Sequence, residues 1–221
     1  MEFSLKPARN VDNPVVEPAW GGLRVLVLVA GTTVEARDAE GTVHPLREDL
    51  TEALIAAVAA TGTRAALLDG HLNGAAVHDT VGVGIGLDGL DQLRAGDVGR
   101  QMLLGGSNRR QRQRDRLEAN QARREVVPQG DPVALVAIDL LWIDDQPLLD
   151  VPLLERKRLL EASIAESNLV RRSVYVRPPM EAWYGQWRGM GFHEVAVRDA
   201  NSRYRPGERT EEWATALIPR R

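Results

Sequence analysis

Apolar positions along this chain fall into short runs and one-sided repeats. The longest run, Val133 to Trp142, is interrupted by a single acid, Asp139. An apolar run bounded by turn formers predicts a buried strand. Ile143-Asp144-Asp145-Gln146 then predicts a tight polar turn. Beyond Asp150, Pro152 occupies a place that the first turn of a helix accepts. Leu153, Leu154, Leu159, Leu160 and Ile164 follow at roughly helical spacing, with Glu155, Arg156, Lys157 and Arg158 on the opposite, polar side. The unit reads as strand, turn, short linker and amphipathic helix.

The same periodicities organise the rest. Residues 1–14, with Pro7 and Pro14, predict an irregular lead-in. Val25 to Val29 predicts a strand, Ala30-Gly31 a turn, and Thr32 to Arg37 a returning strand. Leu46, Leu50, Leu54, Ile55 and Val58 share one face of a helix over Pro45 to Val58, which Thr61-Gly62 ends. Ala65 to Leu68 predicts a short strand running into Asp69-Gly70-His71. The glycines Gly82, Gly84 and Gly86 suit a flexible loop ahead of a helix from Leu87 to Leu93. They do not make a dinucleotide fingerprint, because no βαβ unit surrounds them. Leu169 to Val176 alternates as a strand does, and Pro178-Pro179 stops it. Met180 to Gly189 predicts an amphipathic helix with Trp183 and Trp187 on one core-facing side.

Composition narrows the class. The chain has 221 residues, enough for one large domain or two small ones, with a formal net charge of −3 and no cysteine. Disulfides and cysteine-ligated zinc are therefore excluded. The first residues, MEFSLKPARN, lack the apolar core of a signal peptide, and no apolar run approaches the length of a membrane span. A soluble, cytoplasmic protein with no membrane partner is the expectation. Of 28 basic residues only Lys6 and Lys157 are lysines. The segment from Arg109 to Arg124, RRQRQRDRLEANQARR, concentrates positive charge in an otherwise slightly acidic molecule. It reads either as a solvated basic helix or as a phosphate-contacting element in which Arg109, Arg110, Arg112 and Arg114 would engage DNA.

The central stretch carries a family resemblance. Ile138-Asp139-Leu140-Leu141-Trp142-Ile143-Asp144-Asp145, then Leu148, Pro152-Leu153, Arg156-Lys157 and Leu160, resembles the F-D-L-L-Y-L-D-G … P-L … R-R-x-x-L segment of ATP-dependent DNA ligases. Other motifs follow the same order. Glu17-Pro18, Trp20, Gly22 and Arg24 match E-P-K-W-D-G-x-R, and Arg37 resembles the arginine of the next motif. Asp69-Gly70 matches L-D-G-E, and Leu90, Leu93 and Arg94 match a later helix. Ser202, Tyr204, Pro206-Gly207, Arg209 and Trp213 keep the frame of the last motif. The resemblance spans roughly residues 15–217. It implies an α+β, ATP-grasp-like ligase adenylation fold: two antiparallel sheets flanked by helices, with the nucleotide held between them. It also implies a basic connecting segment over 94–127 within one domain, 15–221, and no OB-fold domain.

The residues that do the family's chemistry are replaced. Ala19 stands where the lysine that attacks the α-phosphate of ATP should be, and Gly21 where an aspartate should be. A phosphoramidate needs an amine nucleophile, and a methyl group has no lone pair. His71 and His193 replace glutamates, Arg198 a phosphate-binding lysine, and Thr215 and Leu217 the two final lysines. The resemblance leaves Glu17, Arg24, Arg37 and Arg198 as a nucleotide-binding remnant. It marks no metal ligands, and makes ATP and Mg²⁺ cofactors by family likeness only. The expected role is an inactive ligase-like domain serving as a binding or regulatory module in DNA repair, with DNA or a repair protein as partner. The alternatives are a nucleotidyltransferase using a displaced nucleophile, and an unrelated binding protein that matches by chance.

Overall fold

The computed structural model describes residues 2–4, 8–73 and 134–219. The basic segment with Arg109, Arg110, Arg112 and Arg114, the glycine-rich loop and the helix expected after it lie outside the described residues.

Two sheets form the scaffold. The larger has the order β5-β4-β3-β6-β7-β8: β3 is Leu23–Ala30, β4 Thr33–Arg37, β5 Val43–His44, β6 Ala65–Asn73, β7 Ala134–Ile143 and β8 Gln146–Pro147. β9, Val170–Arg172, pairs with β7 off that path. The smaller has the order β1-β11-β10-β2: β1 is Glu2–Ser4, β2 Pro14–Pro18, β10 Glu194–Asp199 and β11 Arg209–Leu217. Neighbouring strands run antiparallel except β1 with β11 and β7 with β9, which are parallel. The lead-in is more ordered than its prolines suggest, since β1 adds an edge strand to the small sheet and Ala8–Asn10 forms a 3-10 turn.

Side-chain alternation explains the layers. On β3, Val25, Val27 and Val29 are buried and pack with Leu50, Leu54 and Val58 of helix α1, Glu48–Ala59. Each such buried side chain contributes about 1.5–3 kcal/mol relative to exposure. Glu48 and Asp49 sit in the first turn of α1, where acids favour the positive end of the helix dipole. Gly62, at φ +79°, closes its other end, its N–H donating to the Ala59 carbonyl. Strand β7 is buried on both faces, which is why it reads as a continuous apolar run. Leu135 and Ala137 join the α1 side, while Val136 and Ile138 pack toward the small sheet against Val16, Val195 and Val197.

Helix α2 spans Leu153–Ser163, with Pro152 just before its first residue. Helix α3, Glu181–Gly189, places Trp187 fully inside the second core with Trp183 packed against it, as its pattern predicts. Two elements differ from expectation. β6 continues through Asp69 and His71 to Asn73, because those polar residues face a cleft and the strand pairs β7 along that length. The strand expected over Leu169 to Val176 keeps only Val170–Arg172 and an isolated bridge between Val176 and Val16.

Candidate functional site

A cleft of about 790 Å³ opens between the two sheets. Ala19 and Trp20 beyond β2, Ala196 and Arg198 of β10, and Tyr204 line one side. Arg24 and Leu26 of β3, Asp69 and His71 of β6, and Ile138 and Leu141 of β7 line the other. The positions meet because β2 feeds directly into β3 through a turn at Gly22, whose φ is +90°. The strand β2 belongs to one sheet and β3 to the other, so residues 17–24 cross the floor of the cleft. Trp20 fixes that crossing: its indole N–H donates to Ser173 Oγ at 2.8 Å, and its ring meets Phe192 edge-on.

Of the replaced positions, Ala19, His71 and Arg198 line the cleft. His193 is exposed, Thr215 is buried within β11, and Leu217 lies half exposed at the end of that strand. Of the expected nucleotide-binding remnant, Arg24 and Arg198 reach the cleft. Glu17 lies just behind it. Arg37 turns instead to Glu35 and to the Gly41 carbonyl on the exposed side of β4.

Ionic groups buried around the cleft are matched in pairs. Arg24 grips Asp69 through two hydrogen bonds, of 2.9 and 2.5 Å, and the Tyr204 hydroxyl donates to the same carboxylate at 2.9 Å. Burial alone would push the Asp69 carboxyl up, but the Arg24 guanidinium holds it well below the usual carboxylate range. Burial also raises the Tyr204 hydroxyl, with the Asp69 charge adding to it, so that phenol stays a donor. Glu17 receives the Arg198 guanidinium on one oxygen and the Lys157 ammonium at 2.7 Å on the other. Burial opposes ionisation of Glu17, yet these two cations, Arg198 foremost, bring it below its ordinary value. Arg198 also stacks on Trp213, 4.4 Å from the ring centre.

The helix pattern misplaced two of these groups. Arg156 and Lys157 are not on a solvent face of α2; both are buried. Arg156 makes a two-pronged contact with Asp139, at 2.9 and 2.7 Å, and donates to the carbonyls of Val151 and Ser202. Lys157 reaches Glu17 and the Ile138 carbonyl. Burial lowers the Lys157 ammonium despite the Glu17 charge. The sequence signal for Arg156 was Asp139, a lone acid in a doubly buried strand, which demands a buried partner.

The motif residues Ser202, Tyr204 and Trp213 prove to be fasteners. The Trp213 indole N–H donates to Ser202 Oγ at 3.0 Å, and the Leu153 N–H donates to the Ser202 carbonyl. Among the described residues, no group of three or more histidines and acids is placed to hold a metal ion. No helix there is long and apolar enough to cross a membrane.

Acid should loosen this site. Asp69 and Glu17 both titrate below their ordinary values, so each contributes stability above the unfolded carboxylate value of about 4 and loses it as pH falls through its lower folded value. Urea midpoints at pH 7 and pH 3 should show a marked fall in stability at the lower pH. Asp69→Asn should flatten part of that fall; an unchanged acid slope would count against the pairing.

Comparison with known proteins places this geometry. A family model described as ATP dependent DNA ligase domain matches residues 102–215. DNA ligase 2 of Methanosarcina mazei is 32% identical over 92 residues, which cover 38% of this chain and 16% of that protein. The DNA ligase of Methanopyrus kandleri is 33% identical over 90 residues, again covering 38% of this chain and 16% of its own length. The chain thus spans a small part of the curated relatives it matches. Among solved structures, the ligase domain of LigD from M. tuberculosis superposes with a TM-score of 0.58 at 21% identity, covering 92% of this chain and 53% of that one. Mycobacterial DNA ligase D complexed with ATP and MES gives a TM-score of 0.58 at 21% identity, covering 91% and 53%. These likenesses are of fold.

Proposed function

Because the chain belongs to the ATP dependent DNA ligase domain family, we propose that it is an adenylation-type domain without nucleotidyl-transfer activity, acting as a binding or regulatory module in DNA repair. The cleft is read as the family's nucleotide site. The observation that carries the proposal is Ala19, whose methyl group stands on the cleft wall where covalent transfer needs an amine. Lys157, the lysine within the described residues, is no substitute. Its ammonium is fully buried between Glu17 and the Ile138 carbonyl, and it does not line the cleft. In-line attack requires the nucleophile within about 3–3.5 Å of the reacting atom.

Incubation with labelled ATP and Mg²⁺, followed by denaturation, should leave no label on the protein. Ala19→Lys alone should restore less than a thousandth of a competent ligase's self-labelling, since losing one catalytic contact costs about 10²–10³ in rate and several are absent here. Label retained on Lys6 or Lys157 would overturn the reading in favour of a displaced nucleophile.

A nucleic-acid partner is part of the same proposal, through Arg109, Arg110, Arg112 and Arg114. Binding to duplex DNA would be independent of sequence, because arginine on phosphate positions a protein without reading bases. Its affinity should fall with salt, with a log–log slope of about −0.9 per phosphate neutralised. Exchange of the four arginines for glutamine should remove most affinity at low salt. Equal binding by wild type and variant would exclude this segment and point to a protein partner.

A further inference from the structure

The charged groups of the cleft are committed to one another. Arg24 is held by Asp69, Arg198 by Glu17, and Arg209 at the rim by Glu2, at 2.8 and 3.1 Å. Glu17 and Asp69 are each shared with a further donor, Lys157 and Tyr204. Stacking on Trp213 and Phe3 further fixes the Arg198 guanidinium. The described lining carries four acids, Glu2, Asp38, Glu40 and Asp69, against three arginines. Asp38 in turn accepts from the N–H groups of Glu40 and Thr42 and meets the His44 ring.

A triphosphate entering this cleft finds, among the described lining residues, no cation that is not already neutralised. It also meets the acids of the rim. Charge-assisted contact with phosphate needs a guanidinium or ammonium free to turn toward it. A hard divalent cation could offset the repulsion, but it needs several carboxylate oxygens together. Asp69 and Asp38 already accept several donors, and among the described residues no three acids or histidines are grouped to hold one. An uncharged ligand has neither difficulty. Leu26, Leu67, Ile138, Leu141 and Ala196 offer it apolar wall. Arg198, almost wholly buried in the cleft wall, keeps its Nε without a hydrogen-bond partner among the described residues.

We infer that the cleft binds an uncharged nucleoside in preference to a nucleoside triphosphate, and does so without a divalent cation. The inference rests on the reading of the cleft as the family's nucleotide site. It turns that site from a reaction centre into a reversible sensor of a dephosphorylated ligand.

Calorimetric titration of the full chain with adenosine, AMP and ATP, each with and without Mg²⁺, tests it. Adenosine should bind at least tenfold more tightly than ATP, with AMP between them, and Mg²⁺ should change no affinity. The double variant Glu2→Gln, Glu40→Gln removes two exposed rim charges and releases Arg209 from Glu2. It should strengthen ATP at least threefold and leave adenosine unchanged. ATP binding as tight as adenosine, Mg²⁺-dependent binding, no saturation by adenosine, or an inert double variant would each overturn the inference. Reversible ATP preference without covalent label would do so while leaving the functional proposal standing. Retained label would remove the proposal itself.

Discussion

Arg156→Ala is expected to lower the free energy of unfolding by about 3–5 kcal/mol, the usual effect of removing one partner from a buried ion pair. Both side chains of the Arg156–Asp139 pair are fully inaccessible to water. Without the guanidinium, Asp139 would be an uncompensated charge in the middle of β7, and the carbonyls of Val151 and Ser202 would lose a donor. A single domain of this size is stable by only about 5–15 kcal/mol, so the loss is a large part of the total. Guanidinium chloride unfolding followed by tryptophan fluorescence measures it. The pair Arg156→Met with Asp139→Leu should recover much of the difference, because a well-packed apolar replacement leaves no charge behind. A loss under 1 kcal/mol for Arg156→Ala would mean that Asp139 finds other partners.

Gly22→Ala should be comparably severe. Its φ of +90° lies where side chains are strained, and a left-handed conformation alone costs a non-glycine residue roughly 1–2 kcal/mol. Sterics add more, for a Cβ built on Gly22 would lie 2.0 Å from the Leu72 carbonyl oxygen and 2.9 Å from its carbon. These are backbone atoms of β6 and cannot swing aside. The variant should unfold at markedly lower denaturant concentration, or fail to fold, through separation of β3 from β6 at the floor of the cleft. A midpoint within error of wild type would show that the crossing from β2 to β3 can relax. Gly31→Ala is the control: its φ is +57°, but nothing lies within 4 Å of its Cβ, so only the conformational part of the loss should appear.

These two sites show which parts of the fold were readable in advance. Gly22, Ser202, Tyr204 and Trp213 belong to recognisable motifs, and each is held by geometry: a positive φ, a hydroxyl under an indole, a phenol on Asp69. Motif residues with structural work of that kind keep a recognisable frame even where nearby positions such as Ala19 and His71 depart from the family's pattern. The apolar run of β7 and the one-sided leucines of α1 were equally legible, since burial on two faces or one leaves a direct periodic signature. Charge was harder to read. Arg156 and Lys157 fall where a helix surface would be, and periodicity cannot tell a solvated cation from one paired across the core. Nor could it foresee that Arg37 would turn away from the cleft to Glu35. Pairings such as Lys157 with Glu17 join residues 140 positions apart, and only the packing of α2 against β7 brings them together.

The enclosure of Lys157 has a practical consequence for anyone handling the protein. Side-chain amines in this chain are two, Lys6 and Lys157. Amine-directed reagents attack the uncharged, accessible form, and Lys157 is 1% exposed with its nitrogen engaged on two sides. Acylation at that residue therefore requires the domain to open. The lysine that would have been a poor nucleophile is, for the same reason, a built-in chemical clock for unfolding.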